Sequence, residues 1–144
     1  MRSTFRSDDC GQSLIELTFA IPFLILVLFG AAEFGRLCYL STEVTNAAHA
    51  AALYGAQNRG TASDNTGIST RANNDGADLT GLSVSPQHLC AASYNDTPTA
   101  DCSGTPAIEY VQVNTQLSVA SLFHSYGFGR NYTLHGQAIE RVRQ

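Results

Sequence analysis

From Leu17 to Ala32 the chain runs sixteen residues without a charge. A run of that kind restricts the possible folds more than anything else in the sequence. As a helix it spans about 24 Å at ~1.5 Å per residue, short of a bilayer core of roughly 30 Å. Crossing a membrane therefore draws in either the Glu16 end or the segment from Phe34 to Leu40. In the second case Glu33 and Arg36, three residues apart, form an ion pair at the membrane interface, with Tyr39 as an interfacial anchor. The membrane part is accordingly expected over about residues 14–40. Arg2 and Arg6 precede the run and favour a cytoplasmic N-terminus; Asp8 and Asp9 carry no weight in that rule. The expected protein is a single-pass inner-membrane chain whose remainder lies in the periplasm or outside the cell.

The eleven residues from Met1 to Gly11 are polar. A secretory signal peptide is cut after its apolar region, whereas here the polar leader ends before it. A lipoprotein signal fails as well, because nothing apolar precedes Cys10. Glu16 then needs a reason. A carboxylate at the centre of a membrane helix costs about 2.5–3.5 kcal/mol on insertion scales, less near the membrane face. A snorkelling or protonated interfacial Glu is one reading. Cleavage between Gly11 and Gln12 offers a sharper one: it makes Glu16 the fifth residue, just over one helical turn from the new α-amino group. The cut then creates the cation that the anion requires, in the same chain or for a neighbouring subunit. Gly11 also leaves an extended, unhindered backbone for a peptidase.

A glycine followed five residues later by glutamate, directly ahead of an apolar helix, resembles the type IV prepilin class. Beyond that, Glu16-Leu17-Thr18-Phe19-Ala20-Ile21-Pro22-Phe23-Leu24-Ile25-Leu26 is similar to the N-terminal segment of TadE-like proteins, pseudopilins of the tight-adherence (Flp pilus) machinery. Phe29-Gly30-Ala31-Ala32-Glu33-Phe34-Gly35-Arg36 and Thr45-Asn46-Ala47-Ala48-His49-Ala50-Ala51-Ala52-Leu53-Tyr54 resemble two further blocks of that family, with His49 where the family has a basic residue. The likeness is close over residues 11–57 and only general beyond. It implies a minor pilin-like subunit processed by a prepilin peptidase. Its partners would be other pilin or pseudopilin subunits, met through the N-terminal helix, and an inner-membrane assembly platform. Two alternatives stay open: a pseudopilin of another type IV filament system, such as type II secretion or competence, and a signal-anchored binding module. The former systems prefer Phe after the cut, where this chain has Gln12.

Pro22 fits an assembling helix, since it removes the hydrogen bond to the Thr18 carbonyl and loosens or kinks the helix there. The Thr18 hydroxyl is expected to satisfy the polar groups nearby. Nothing else interrupts a helix from Gln12 to about Gln57, roughly 69 Å long. Its outer part, Ala47 to Ala56, suits close approach of a neighbouring backbone or contact with the chain's own domain. Asn58-Arg59-Gly60 ends the helix, Thr61 to Gly67 reads as a loop, and Ile68 to Ala77 as a short helix. Alternation marks a short strand at Leu82–Val84 and longer ones at Ile108–Val119 and Asn131–Val142, the last two antiparallel. Phe123 to Phe128 reads as a turn or bulge. The predicted class is α+β and pilin-like, with a leader at 1–11, a long helix at 12–57, and an extracytoplasmic domain at 58–144 carrying two to four antiparallel strands.

Cys90 and Cys102 share a loop-rich stretch; a disulfide between them requires an oxidising compartment, and two unpaired thiols are the alternative. The neighbouring His88 reads as incidental to Cys90, and no zinc-type spacing appears, so neither metal nor cofactor is expected. Ser121, His124 and Glu109 lack any surrounding catalytic pattern, which argues against an enzyme. All eight basic residues are arginines, and the six beyond the leader form no patch of the kind a nucleic acid needs.

Overall fold

A computed structural model describes residues 10–102, 108–122 and 131–143, with side chains from Ser13 onward. Helix α1 runs from Cys10 to Gly55 without a break, through Pro22. It is followed by a single-turn helix α2 (Arg59–Ala62), helix α3 (Asn65–Asp75), and three strands: β1 (Ser83–Ala91), β2 (Ile108–Ala120) and β3 (Asn131–Arg141). The strands form one antiparallel sheet in the order β1-β2-β3. The chain divides into two compact units, residues 1–36 and 37–144.

In the second unit, α1 is a core element because of one stripe of small residues. Val44, Ala47, Ala48, Ala51, Ala52 and Gly55 recur at helical spacing and are all buried. The stripe meets the inward side chains of the sheet. Ala51 and Ala52 pack with Val111, Val113 and Val142, together with Ile68 and Ala72 from α3. Val44 packs with Leu79, Leu117 and Val119, flanked by Leu37, Leu40, Leu82 and Leu134. Ala47, Ala48, Ala51, Ala52 and Ala56 are therefore buried against the chain's own domain, as one of the two readings of this stretch expects.

The tightest approach lies where β3 crosses α1. A Cβ added at Gly136 would meet the Thr115 hydroxyl at 2.6 Å and the Val44 carbonyl at 2.7 Å. The Thr115 hydroxyl, itself buried, donates to that Val44 carbonyl at 2.8 Å. A polar side chain in the middle of the core is thereby satisfied.

The connection after α1 holds more helix than its composition suggests. The Asn58 side chain accepts from the Thr61 N–H and the Thr61 hydroxyl accepts from the Asn58 N–H, a reciprocal cap that winds α2. Asp64 then caps α3 by accepting from the Gly67 N–H at 2.9 Å. The expected loop at Thr61–Gly67 thus holds the end of α2 and the capped start of α3, which begins three residues before Ile68. The turn into β1 uses Gly81 at φ +85°, a conformation that suits glycine. β1 extends to Ala91, well past the expected Val84, because its backbone pairs with β2 along the whole length. β2 and β3 lie close to their expected bounds and pair antiparallel as expected. Phe123 to Phe128 lies outside the described residues.

Gly136→Ala should lower stability by about 1–3 kcal/mol through overpacking, read as a reduced urea midpoint for the detergent-solubilised chain with its m-value unchanged.

Candidate functional site

Two features combine unusual exposure or burial with chemistry: the surface of α1 up to Arg36, and a polar cluster around Glu109. In the first, every described large apolar side chain from Leu14 to Phe29 is exposed, as is Phe34. So much apolar area open to solvent marks a surface that lipid or protein covers. By length and composition the helix can cross a membrane.

Glu16 is exposed on this surface, and among the described residues it has no ion-pair partner. The Gly11–Gln12 peptide lies in the first turn of α1, helical where an extended backbone was expected. That turn carries the N–H groups that no helix can bond internally, so opening it for a peptidase breaks few bonds. The four-residue step from Gln12 to Glu16 puts both positions on the same side of the helix. At Pro22 the helix continues. The Thr18 hydroxyl donates to the Leu14 carbonyl at 2.7 Å, one turn earlier than its own carbonyl, which Pro22 leaves without a donor. The hydroxyl therefore does not relieve the carbonyl that the proline orphans.

Glu33 and Arg36 pair as their spacing suggests, with Arg36 Nη1 3.4 Å from Glu33 Oε2. Glu33 is only 8% exposed, unlike the apolar residues before it.

The second feature was not foreseen as a unit. β2 points Glu109 inward, in phase with Val111 and Val113, and the residue is 7% exposed. Each carboxylate oxygen has a partner: Arg59 Nε lies 2.9 Å from Oε1, and His88 Nε2 lies 3.2 Å from Oε2. His88 is therefore tied to Glu109 as well as being a sequence neighbour of Cys90. The only available signal was the period-2 pattern, which places Glu109 on the buried face of β2; nothing in the sequence indicated Arg59. Cys90 and Cys102 are joined by a disulfide. At a sequence separation of 12, such a link stabilises by about 3 kcal/mol in the chain-entropy account. Cys38 is a free, exposed cysteine on α1. Of the residues weighed for catalysis, Glu109 is committed to this cluster and His124 lies outside the described residues.

An apolar helix that can serve as a single-pass anchor, followed by a small α+β domain, defines a pilin-like chain. Residues 11–53 match the family model described as TadE-like protein. The match takes in Gly11, Gln12, Glu16, Pro22, Glu33 and Arg36, and ends before the sheet and the disulfide. No curated protein and no solved structure matches the chain.

Because Arg59 is more than half exposed while Glu109 is buried, removing the cation strands the anion. Arg59→Ala should cost about 1 kcal/mol or somewhat more. Glu109→Leu, which removes the buried charge altogether, should be nearly neutral. Chemical denaturation of the two variants side by side checks the order.

Proposed function

We propose that this chain is a TadE-like pseudopilin, a minor pilin that acts in assembly of a Tad/Flp pilus. The observation that carries the reading is the coincidence of the family match over residues 11–53 with a fully exposed apolar helix bearing Glu16. In this reading a prepilin peptidase cuts after Gly11 while the protein is held in the inner membrane, N-terminus in the cytoplasm and domain in the periplasm. The new α-amino group on Gln12 then neutralises Glu16 in the same or a neighbouring helix, and the processed subunit docks through its apolar helix on other pilin subunits and the assembly platform. Glu33 and Arg36 lie at the outer membrane face, where pairing lets both charges sit close to lipid headgroups. The Cys90–Cys102 disulfide accords with an oxidising compartment for the domain.

Expressed with its peptidase, the chain should lose 11 residues and begin at Gln12, as read by N-terminal sequencing of the membrane-extracted protein. An intact Met1 terminus in peptidase-positive cells contradicts the reading. Glu16→Ala should leave cleavage largely intact and reduce surface pili severalfold or more, because the partner of the carboxylate arises only after the cut. Normal pilus numbers in that mutant, counted by electron microscopy, would remove the proposed charge pairing.

A further inference from the structure

The Glu109 cluster adjoins the disulfide, and this juxtaposition has a use outside pilus assembly. His88 and Cys90 are two residues apart on β1 and so share one face of the strand. Cys102 is brought to them by the loop that follows. A His88 ring nitrogen and the two sulfurs all lie within 4.8 Å of one another.

We propose that, once its disulfide is reduced, the His88–Cys90–Cys102 cluster binds a divalent cation of the zinc type. In the disulfide the sulfurs are spent on each other and cannot ligate as thiolates. A dithiol reductant changes that by thiol–disulfide exchange. Its thiolate attacks one sulfur of the Cys90–Cys102 bond and forms a mixed disulfide. Its second thiol displaces that link, so the reductant leaves as a disulfide and the chain gains two thiols. Binding of the cation then releases two protons and leaves two thiolates whose charge it cancels.

Three features keep the ligands together after the bond opens. First, the loop is pinned by backbone pairing independent of the sulfurs: Cys90 N–H donates to the Thr99 carbonyl at 2.8 Å, and Thr99 N–H donates back to Cys90 at 2.9 Å. Cys102 follows only three residues later. Second, two thiolates around a tetrahedral ion with bonds of about 2.3 Å stand ~3.8 Å apart, a separation that side-chain rotation can supply from Cα atoms 5.4 Å apart once the bond is open. Third, Glu109 holds His88 through Nε2 at 3.2 Å, which leaves Nδ1 with the free lone pair. A carboxylate on the far nitrogen of a ligating histidine is the usual support for a metal site, and Arg59 in turn steadies that carboxylate at 2.9 Å. Cys90 is buried whereas His88 and Cys102 are half-buried, so two of the three ligands can be reached from solvent.

The test uses the full chain in detergent with Cys10→Ser and Cys38→Ser, so that Cys90 and Cys102 are its only cysteines, and cobalt(II) as the probe. Reduced with a phosphine, the chain should take up one cobalt per molecule with a near-ultraviolet thiolate-to-metal charge-transfer band that zinc abolishes. The oxidised chain should show no such band. His88→Ala should weaken binding at least about tenfold, and Glu109→Gln by about 10–100-fold, the loss typical of a supporting carboxylate. Absence of the band in reduced chain, or equal affinity in His88→Ala, overturns the proposal. Loss of the folded circular dichroism spectrum on reduction also overturns it, because the argument needs the Thr99–Cys90 pairing to persist. Neither result bears on peptidase processing or piliation, so this inference stands or falls separately from the pseudopilin reading.

Discussion

The folded unit depends on how closely α1 can approach the sheet. At Gly136 the strand backbone lies against the helix backbone with no room for a methyl group, and the Thr115 hydroxyl reaches the Val44 carbonyl across the gap. Larger residues at Ala47, Ala48, Ala51 or Ala52 would hold the layers apart and leave Val111 and Val113 without their partners. Small residues on the helix and branched residues on the strand are thus two halves of one packing solution. With the helix seated so closely, a three-stranded sheet gains a core that it could not form alone.

Much of this was legible because periodicity reports which face is buried. β2 reads as a strand from its odd positions, and its partner β3 from Leu134 and Ile139 onward, although Ile139 proved to face outward and to be exposed. The helix was legible from its length and its lack of breakers. What could not be read are the partners that come from distant sequence. Thr115 looks like an interruption in an apolar strand until the Val44 carbonyl, 71 residues away, appears beside it. Glu109 looks like a polar residue at a strand start until Arg59 and His88 close around it. The capping of α2 and α3 was a different kind of miss. Asn58 and Asp64 are ordinary helix starters, but in a stretch rich in Gly, Thr and Asn their signal does not stand out from turn chemistry.

The two units place opposite demands on their residues. Up to Arg36 the helix presents apolar side chains outward, which in water would be a liability and in lipid or a helical bundle is an attraction. From Leu37 onward it turns a narrow stripe inward and leaves Thr42, Thr45, Asn46 and His49 to the outside. The change of solvent falls next to the Glu33–Arg36 pair, the first charges after sixteen residues without any. The TadE-like segment spans both regimes, whereas the sheet that completes the domain lies outside it. The part of the chain that resembles a family thus joins an exposed apolar surface to the helix stripe that the sheet covers. Beyond the match the chain has its own disulfide and ionic cluster.

The closing strand also sets an order of events. Val142 donates its N–H to the Glu109 carbonyl, and Arg143 donates to the carbonyl of Ala56, near the end of α1. Thus the end of α1 and the last described residues meet in one core, with β2 between them. Contacts so distant in sequence form slowly, because a long loop must close before any of them repays its entropy. During synthesis the domain can close only after residues 136–143 have emerged. Until then the alanine stripe and the valines of β2 stay uncovered, and the nascent chain depends on whatever shields them.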